Sequence, residues 1–266
     1  MKKPLIALIT GCSTGIGRAL CQQLARKGYT VVATARDVQS IKDLPVALIL
    51  PLDVTNKPSV DAAIRQVIAH YHRIDLLVNN AGYSLRGALE EVDTDQAKKI
   101  FDVNVFGIIT MVHASLPIMR ENNSGRIINI GSISGRFAQP INGVYCASKY
   151  AVEALTAALR LELRNFHIDA AVIEPGPIAT HFFKTLAITS NDLLSRPESC
   201  YKPFYQADLA HRKLQKRTPV NKAAQAIVKI LGKRKLKPRY TVAVPKTLQL
   251  FIHLPDCVKE YLLRLQ

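Results

Sequence analysis

The chain has 266 residues, 48% of them hydrophobic and 21% charged, with five cysteines and a net charge of +16. That length suits one large domain, since domains run ~50–250 residues, and so ordinary a composition excludes a disordered, collagenous or coiled-coil protein. Five cysteines at 12, 21, 146, 200 and 257 exclude a disulfide scaffold; with no CxxC pair no metal site is read, and free thiols in the cytoplasm are expected.

In chain order, apolar runs of strand length alternate with helix-length segments. The start, MKKPLIALITGC, has the look of a lipoprotein signal. Its apolar run, Leu5 to Ile9, is shorter than the ~7–15 residues of a signal core. The same letters make a buried strand entering a glycine loop. A helix over Gly15 to Lys27 follows, closed by Gly28. Strands are read over Thr30–Thr34 and Val46–Leu52, with a helix over Val60–Ala69 beyond them. The fourth strand is Ile74–Val78, and a long helix covers Thr94 to Met119 with a bend near Gly107. Within it Val103 to Met119 has no Asp, Glu, Lys or Arg. It falls short of the ~20 apolar residues of a membrane span and is read as a buried or interface-forming helix. Arg126–Ile130, Gly143–Asn165, Ala170–Ile173, Val220–Leu231 and Tyr240–Val244 complete the series as strand, helix, strand, helix, strand. Strands apolar throughout, each followed by a helix, indicate an α/β doubly wound parallel sheet covered on both faces. One domain over 1–266 is expected. The stretch 181–217 shows no clear period, and loops that long are usually functional.

Charge is unevenly spread. Residues 1–180 carry a net of +4 and residues 181–266 a net of +12. A cationic tail suits an anionic partner, whether a phosphorylated cofactor, a membrane surface or nucleic acid, or it is simply a solvated basic face. No nucleic-acid recognition motif accompanies it.

Four constellations carry chemistry. Thr10-Gly11-Cys12-Ser13-Thr14-Gly15-Ile16-Gly17 links the first strand to the first helix. Glycines there permit a tight turn and close approach of a pyrophosphate, and the helix N-terminus supplies N–H groups. The G-x3-G-x-G spacing departs from the general dinucleotide fingerprint. That fingerprint expects a carboxylate at the end of the second strand, to hold the ribose 2′-OH. Arg36 stands there instead and suits a 2′-phosphate, which favours NADP(H) over NAD(H). Asp37 beside it either pairs with Arg36 or lies in the turn. Asp53-Val54 ends the third strand, and Asn79-Asn80-Ala81-Gly82 the fourth. Tyr145 and Lys149, at i and i+4, share a helix face just after Ser132 at the end of the fifth strand. An ammonium nearby lowers the tyrosine pKa from ~10 toward neutrality, where it can exchange a proton.

TGCSTGIG, NNAG, Asn104, Ser132, YCASK and PGPIAT occur in the order of the short-chain dehydrogenase/reductase family, and the chain resembles its short single-domain branch. The resemblance spans about 4–180 and, by the pattern of elements, continues to Val244. It implies a Rossmann-type sheet of about seven parallel strands and hydride exchange between nicotinamide and a carbonyl or alcohol. It implies that Tyr145 is the general acid/base, that Lys149 binds the nicotinamide ribose and lowers the Tyr145 pKa, and that Ser132 orients the substrate oxygen. Asn104 would hold a water in the proton relay and distort its helix. Gly11, Ser13, Thr14, Gly15, Ile16 and Gly17 would line the pyrophosphate and ribose. Asp53 and Val54 would flank adenine, and Asn80, Ala81 and Gly82 the adenosine ribose. Pro175, Gly176, Ile178 and Thr180 would hold the nicotinamide end. Homodimers or homotetramers are the family's usual assemblies.

In the family, the stretch after Thr180 is the substrate lid. Here it carries His181, Phe182, Phe183, Leu186, Ile188, Leu193, Leu194, Phe204 and Tyr205, which suits a bulky hydrophobic substrate. The tail, about 246–266, repeats Val258, Tyr261, Leu262 and Leu265 at helical spacing. It is similar to tails of retinol- and steroid-active members, as is the ATARD run. It is expected to cover the substrate mouth or a partner copy, with peripheral membrane contact as the alternative. The expected function is an NADP(H)-dependent oxidoreductase acting on a hydrophobic carbonyl or secondary alcohol. The rival readings are a dinucleotide-binding sensor without turnover and a basic membrane or nucleic-acid binder.

Overall fold

Seven strands form one parallel sheet. A computed structural model describes residues 3–180 and 198–264. The strands are β1 (Ile6–Ile9), β2 (Thr30–Ala35), β3 (Leu48–Pro51), β4 (Leu76–Asn79), β5 (Gly125–Ile130), β6 (Ile168–Pro175) and, last in the chain, β9 (Arg239–Val242). Their order is β3-β2-β1-β4-β5-β6-β9, and every pairing is parallel. A separate two-residue pair joins β7 (Ile178–Ala179) to β8 (Thr218–Pro219).

The near-continuous apolar strands follow from burial on both faces. Alternate residues of β1 divide between two cores. Ala7 and Ile9 pack with Leu20 and Leu24 of α1 (Gly15–Arg26) and with Ile227 of α7 (Val220–Leu231). Ile6 and Leu8 face the other way. There they meet Val60 and Ile64 of α2 (Lys57–Tyr71), Met111 and Met119 of α4 (Gly107–Glu121), and Leu159 of α5 (Gly143–Glu162). Leu8, Leu20 and Leu24 are fully buried, each worth ~1.5–3 kcal/mol in transfer terms.

The long apolar helix runs from Thr94 to Glu121 as α3 (Thr94–Phe101), a π-helical turn at Asp102–Phe106, and α4. The distortion expected near Gly107 is therefore the wider turn containing Asn104, just before the glycine. The helix is long and apolar enough to cross a membrane by composition, but Ile108, Met111, Ser115 and Met119 are buried against the sheet. The stretch without clear period needs a correction: Lys202–Leu214 is a helix, α6. Tyr205 is its one buried residue, so no apolar stripe exists to reveal it. The expected lid residues His181, Phe182, Phe183, Leu186, Ile188, Leu193 and Leu194 lie outside the described residues. The tail forms α8 (Lys246–Phe251) and α9 (Asp256–Arg264). Its Leu248, Phe251, Ile252 and Leu263 pack on Ile133 and Phe137, in the segment that follows β5. Phe137 and Phe251 meet edge to face at 5.0 Å.

Candidate active site

All strands of the sheet run the same way, so their carboxyl ends share one edge, where open α/β sheets bind ligands. The first loop is drawn tight against the fourth. Gly11 is left-handed (φ 69), and a Cβ on it would lie 2.8 Å from the Ala81 Cα. A Cβ on Gly17 would lie 2.4 Å from Asn80 Nδ2 and 2.5 Å from the Gly11 carbonyl oxygen. Asn80 Nδ2 donates to the carbonyls of Thr10 (2.9 Å) and Gly11 (3.0 Å). The Thr10 hydroxyl accepts from the backbone N–H groups of both Asn80 and Ala81. Thr10 is thus the pin of the turn. Its motif was visible in the sequence, but its place among the site residues was not.

Thr14 precedes α1 with extended backbone and makes no side-chain cap, so it leaves the opening N–H groups of that helix to a ligand. Ser13 and Thr14 are exposed, Ile16 is half-buried, and a Cβ on Gly15 would lie 3.4 Å from the Thr180 Cβ. Together the glycine cradle and the uncapped helix fit a dinucleotide pyrophosphate.

Arg36 is exposed and makes no ion pair among the described residues. Asp37 does not pair with it: its carboxylate caps the next turn by accepting from Gln39 N at 2.9 Å. Asp53 accepts from the N–H and hydroxyl of Thr55 through Oδ1. Val54 is buried beside it, against Gly107. The two asparagines of the fourth strand separate. Asn80 turns to the loop, while Asn79 is buried and donates to Asn129, which donates to Thr156.

Asn104, Ser132, Tyr145 and Lys149 come together, all at least nine-tenths buried. Both amide hydrogens of Asn104 are committed, to the Tyr83 carbonyl and to Ser148 Oγ, each at 3.0 Å, and its Oδ1 accepts from Tyr83 N. A water-holding role would therefore fall to its main chain. Gly82 fits against Asn104 because it lacks a side chain: a Cβ would lie 2.9 Å from Oδ1 and 3.7 Å from Lys149 Nζ. Ser132 caps the short turn Ile133–Gly135 and is hydrogen-bonded to the Tyr145 phenol.

Lys149 Nζ donates to the Ile130 carbonyl at 2.9 Å and lies 5.8 Å from the Tyr145 ring centre. Burial pushes its pKa down to about 8, opposed by Glu153. The Tyr145 phenol shows the expected shift reversed. Burial pushes it up to about 12, against the pull of Ser132 and Arg86. Desolvation of a phenolate outweighs the cations here because the ring is enclosed and the ammonium is turned to a carbonyl. Cys146 is packing, with burial raising its thiol. Pro175 and Ile178 are buried, and Gly176 passes so close to β9 that a Cβ would meet the Ala243 carbonyl oxygen at 2.4 Å.

Two groups escaped the sequence reading. Arg86 lies in the loop after β4 and pairs with Asp208 of α6 at 3.7 Å, while Arg212 Nε lies 2.7 Å from the same carboxylate. Tyr205 of α6 accepts from Ala88 N at 2.9 Å and donates to Glu91, and Tyr201 donates to Glu90 at 2.6 Å. These contacts latch α6 to the loop after β4.

A dinucleotide-binding oxidoreductase site is what this edge of the sheet presents, and comparison with known proteins narrows the class. The short chain dehydrogenase model matches residues 5–191. The chain is 36% identical to 3-ketodihydrosphingosine reductase of Bacteroides thetaiotaomicron over 272 aligned positions, covering 99% of this chain and 98% of that one. It is 38% identical to human 17-beta-hydroxysteroid dehydrogenase type 1 over 223 positions, covering 78% of this chain and 67% of that one. A short-chain dehydrogenase from Streptomyces avermitilis superposes with a TM-score of 0.83 at 29% identity, over 99% of this chain and 96% of that one. Solved structures of similar fold hold NAD or NADH in some cases and NADP in others. The chain belongs to the short-chain dehydrogenase family and is an oxidoreductase that uses a nicotinamide dinucleotide.

Proposed function

We propose that the protein interconverts a bulky hydrophobic carbonyl compound and its secondary alcohol, with NADP(H) preferred. The observation that carries the chemistry is the Tyr145 phenol hydrogen-bonded to Ser132, with Lys149 one turn further along the same helix face. When bound, the nicotinamide supplies or accepts the hydride. Ser132 holds the substrate oxygen, and Tyr145 donates its proton to that oxygen during reduction. A phenol with pKa about 12 is protonated at neutral pH, which is the form reduction uses. Lys149 would donate to the ribose hydroxyls, and Asn104 would hold the relay water through its main chain.

Gly11, Ser13, Thr14, Gly15, Ile16 and Gly17 would cradle the pyrophosphate, and Asp53, Val54, Asn80, Ala81 and Gly82 the adenosine. Pro175, Gly176, Ile178 and Thr180 would hold the nicotinamide end. Arg36, exposed and without an acidic partner among the described residues, supports the 2′-phosphate reading. The hydrophobic substrate class is supported by the names of the sphingoid and steroid relatives. The exposed Phe106 and Leu161 beside half-buried apolar neighbours support a homodimer or homotetramer. Five free thiols support a cytoplasmic location. Leu250 and Tyr261, exposed near Lys246 and Arg264, support peripheral membrane contact by the tail.

The test is oxidation of NADPH and of NADH against long-chain ketones, steroids and retinoids, with Tyr145→Phe in parallel. NADPH turnover that collapses in the variant is expected. Preference for NADH would overturn the role given to Arg36, and tight coenzyme binding without turnover on any substrate would favour the sensor reading.

A further inference from the structure

One turn beyond Lys149 on the same face of α5 stands a second buried ionisable group, Glu153, 6% exposed. Its Oε2 accepts from Arg239 Nε of β9 at 2.6 Å. Its Oε1 is buried, lies against Gly131, and has no hydrogen-bond donor among the described residues. Glu174 of β6, 1% exposed, faces it within hydrogen-bonding reach and is itself paired with Arg136 at 3.2 Å. Arg239 lies 3.9 Å from that second carboxylate. Two carboxyls buried so close hold one proton between them more readily than two full charges. A proton on the orphaned Oε1 would satisfy that atom and bridge to Glu174.

We propose that Glu153 is a positioning residue of the oxidoreductase site: a buried counter-charge, one helical turn from Lys149, that keeps Lys149 an ammonium ion. The inference rests on the functional reading above, in which Lys149 must be charged to hold the ribose and face Tyr145. Burial works against that ammonium, and its hydrogen bond to Ile130 is to a neutral carbonyl. Glu153 is the charge that opposes the loss. Burial and Glu174 push Glu153 up to about 7, and Arg239 pulls it down.

The groups facing the pair come from every element packed on it. They are Lys149 from α5, Arg239 from β9 and Arg136 from the segment after β5. Lys259 of α9 lies beyond, donating to the Arg136 carbonyl and to Asp256. A purely structural ion pair would need only Oε2 and Arg239, which is 46% exposed. It would not need a second buried carboxyl or an orphaned oxygen below the lysine.

The test reads Lys149 directly in the coenzyme-free full chain, by NMR titration of lysine 13Cε signals assigned with Lys149→Met. The native midpoint is expected near 8. Glu153→Gln should lower it by about one pH unit or more, the size of shift a lost adjacent charge produces in a buried site. Glu174→Gln is the control: Glu153, at about 7, is already mostly ionised where Lys149 titrates, so this variant should leave the midpoint within a few tenths of a pH unit. A fall confined to one of two neighbouring buried carboxyls is not what a general loosening of the fold would give. An unchanged midpoint in Glu153→Gln, or a fall of equal size in Glu174→Gln, would overturn the proposal. If Glu153→Gln fails to fold, Glu153→Met, which removes the charge and fills the buried site with an apolar side chain, decides in its place: a fall in the midpoint supports the proposal, and no fall overturns it. Turnover is not needed for this readout, so an inactive native enzyme would refute the functional reading and leave the titration to stand or fall separately.

Discussion

Placing a methyl group on Gly17 isolates the contact that shapes the coenzyme cradle. Gly17 is an ordinary helical residue of α1, so Gly17→Ala by itself gains about 1 kcal/mol of helix propensity. Against that gain, the new Cβ would sit 2.4 Å from Asn80 Nδ2 and 2.5 Å from the Gly11 carbonyl oxygen. Neither neighbour can yield freely. Asn80 is held by two hydrogen bonds to the Thr10 and Gly11 carbonyls, and Gly11 is braced on Ala81. Overpacking of this kind costs about 1–3 kcal/mol, and loss of the two Asn80 bonds about 1 kcal/mol each. The net expectation is a destabilisation of about 3 kcal/mol, or a fall in Tm of ~6–12 °C for a chain of this size. Coenzyme affinity should fall at least tenfold besides, because the loop N–H groups move with Gly11. Thermal unfolding and fluorescence titration with NADPH measure both quantities. Gly28→Ala is the control: its left-handed φ of 83 makes alanine strained, but nothing lies within 4 Å of the added Cβ. It should lose about 1 kcal/mol and leave NADPH binding unchanged. A Gly17→Ala protein with native Tm and native NADPH affinity would refute the close-approach argument.

Three further expectations follow from the same structure. Arg36→Ala should weaken NADPH binding ~10–100-fold and leave NADH binding within about twofold, since charge-assisted contacts are worth ~1.5–3 kcal/mol; equal losses for both coenzymes would disprove the 2′-phosphate contact. Tyr205→Phe removes the acceptor for the buried Ala88 N–H and the bond to Glu91. It should cost about 1–3 kcal/mol locally, seen as faster hydrogen exchange at Ala88 and a higher KM for substrate, and unchanged exchange there would contradict the latch. The folded pKa of Glu153, about 7, lies above its ordinary 4.5. Its contribution to stability is therefore fully present below 4.5 and is lost as pH rises through about 7. The Tm of the native protein minus that of Glu153→Gln should shrink between about pH 5 and pH 8, and a constant difference would show that Glu153 carries no raised pKa.

The elements that sequence reading located best are those that bury whole faces. Val220–Leu231 is read with the bounds it has in the structure because its apolar residues recur at helical spacing against α1 and the sheet. Strand ends shift by one to three residues, as at Val46–Leu52 against Leu48–Pro51, because hydrophobicity marks burial while pairing depends on the neighbouring strand. Helix α6 was missed for the opposite reason. Its hold on the fold is two tyrosine hydroxyls and the Arg86–Asp208–Arg212 cluster, polar contacts that leave no periodic trace. Pro203 in its first turn was the available signal.

By itself the sequence determined the alternation of strands and helices, the glycine turn at the first strand end, Arg36 in place of an acid, and the Ser132, Tyr145 and Lys149 set. These depend on local chemistry: a period, a turn conformation, a spacing along one helix face. Only the tertiary structure decided that Asp37 caps a turn rather than pairing with Arg36 and that Asn104 is bound to Tyr83 and Ser148. It also decided that burial raises Tyr145 and that Glu153, Glu174 and Arg239 meet behind Lys149. Those outcomes depend on what other segments bring alongside. Arg239 is 86 positions from Glu153 in the chain, and the free energy of a buried charge is set by the dielectric and partners around it in space.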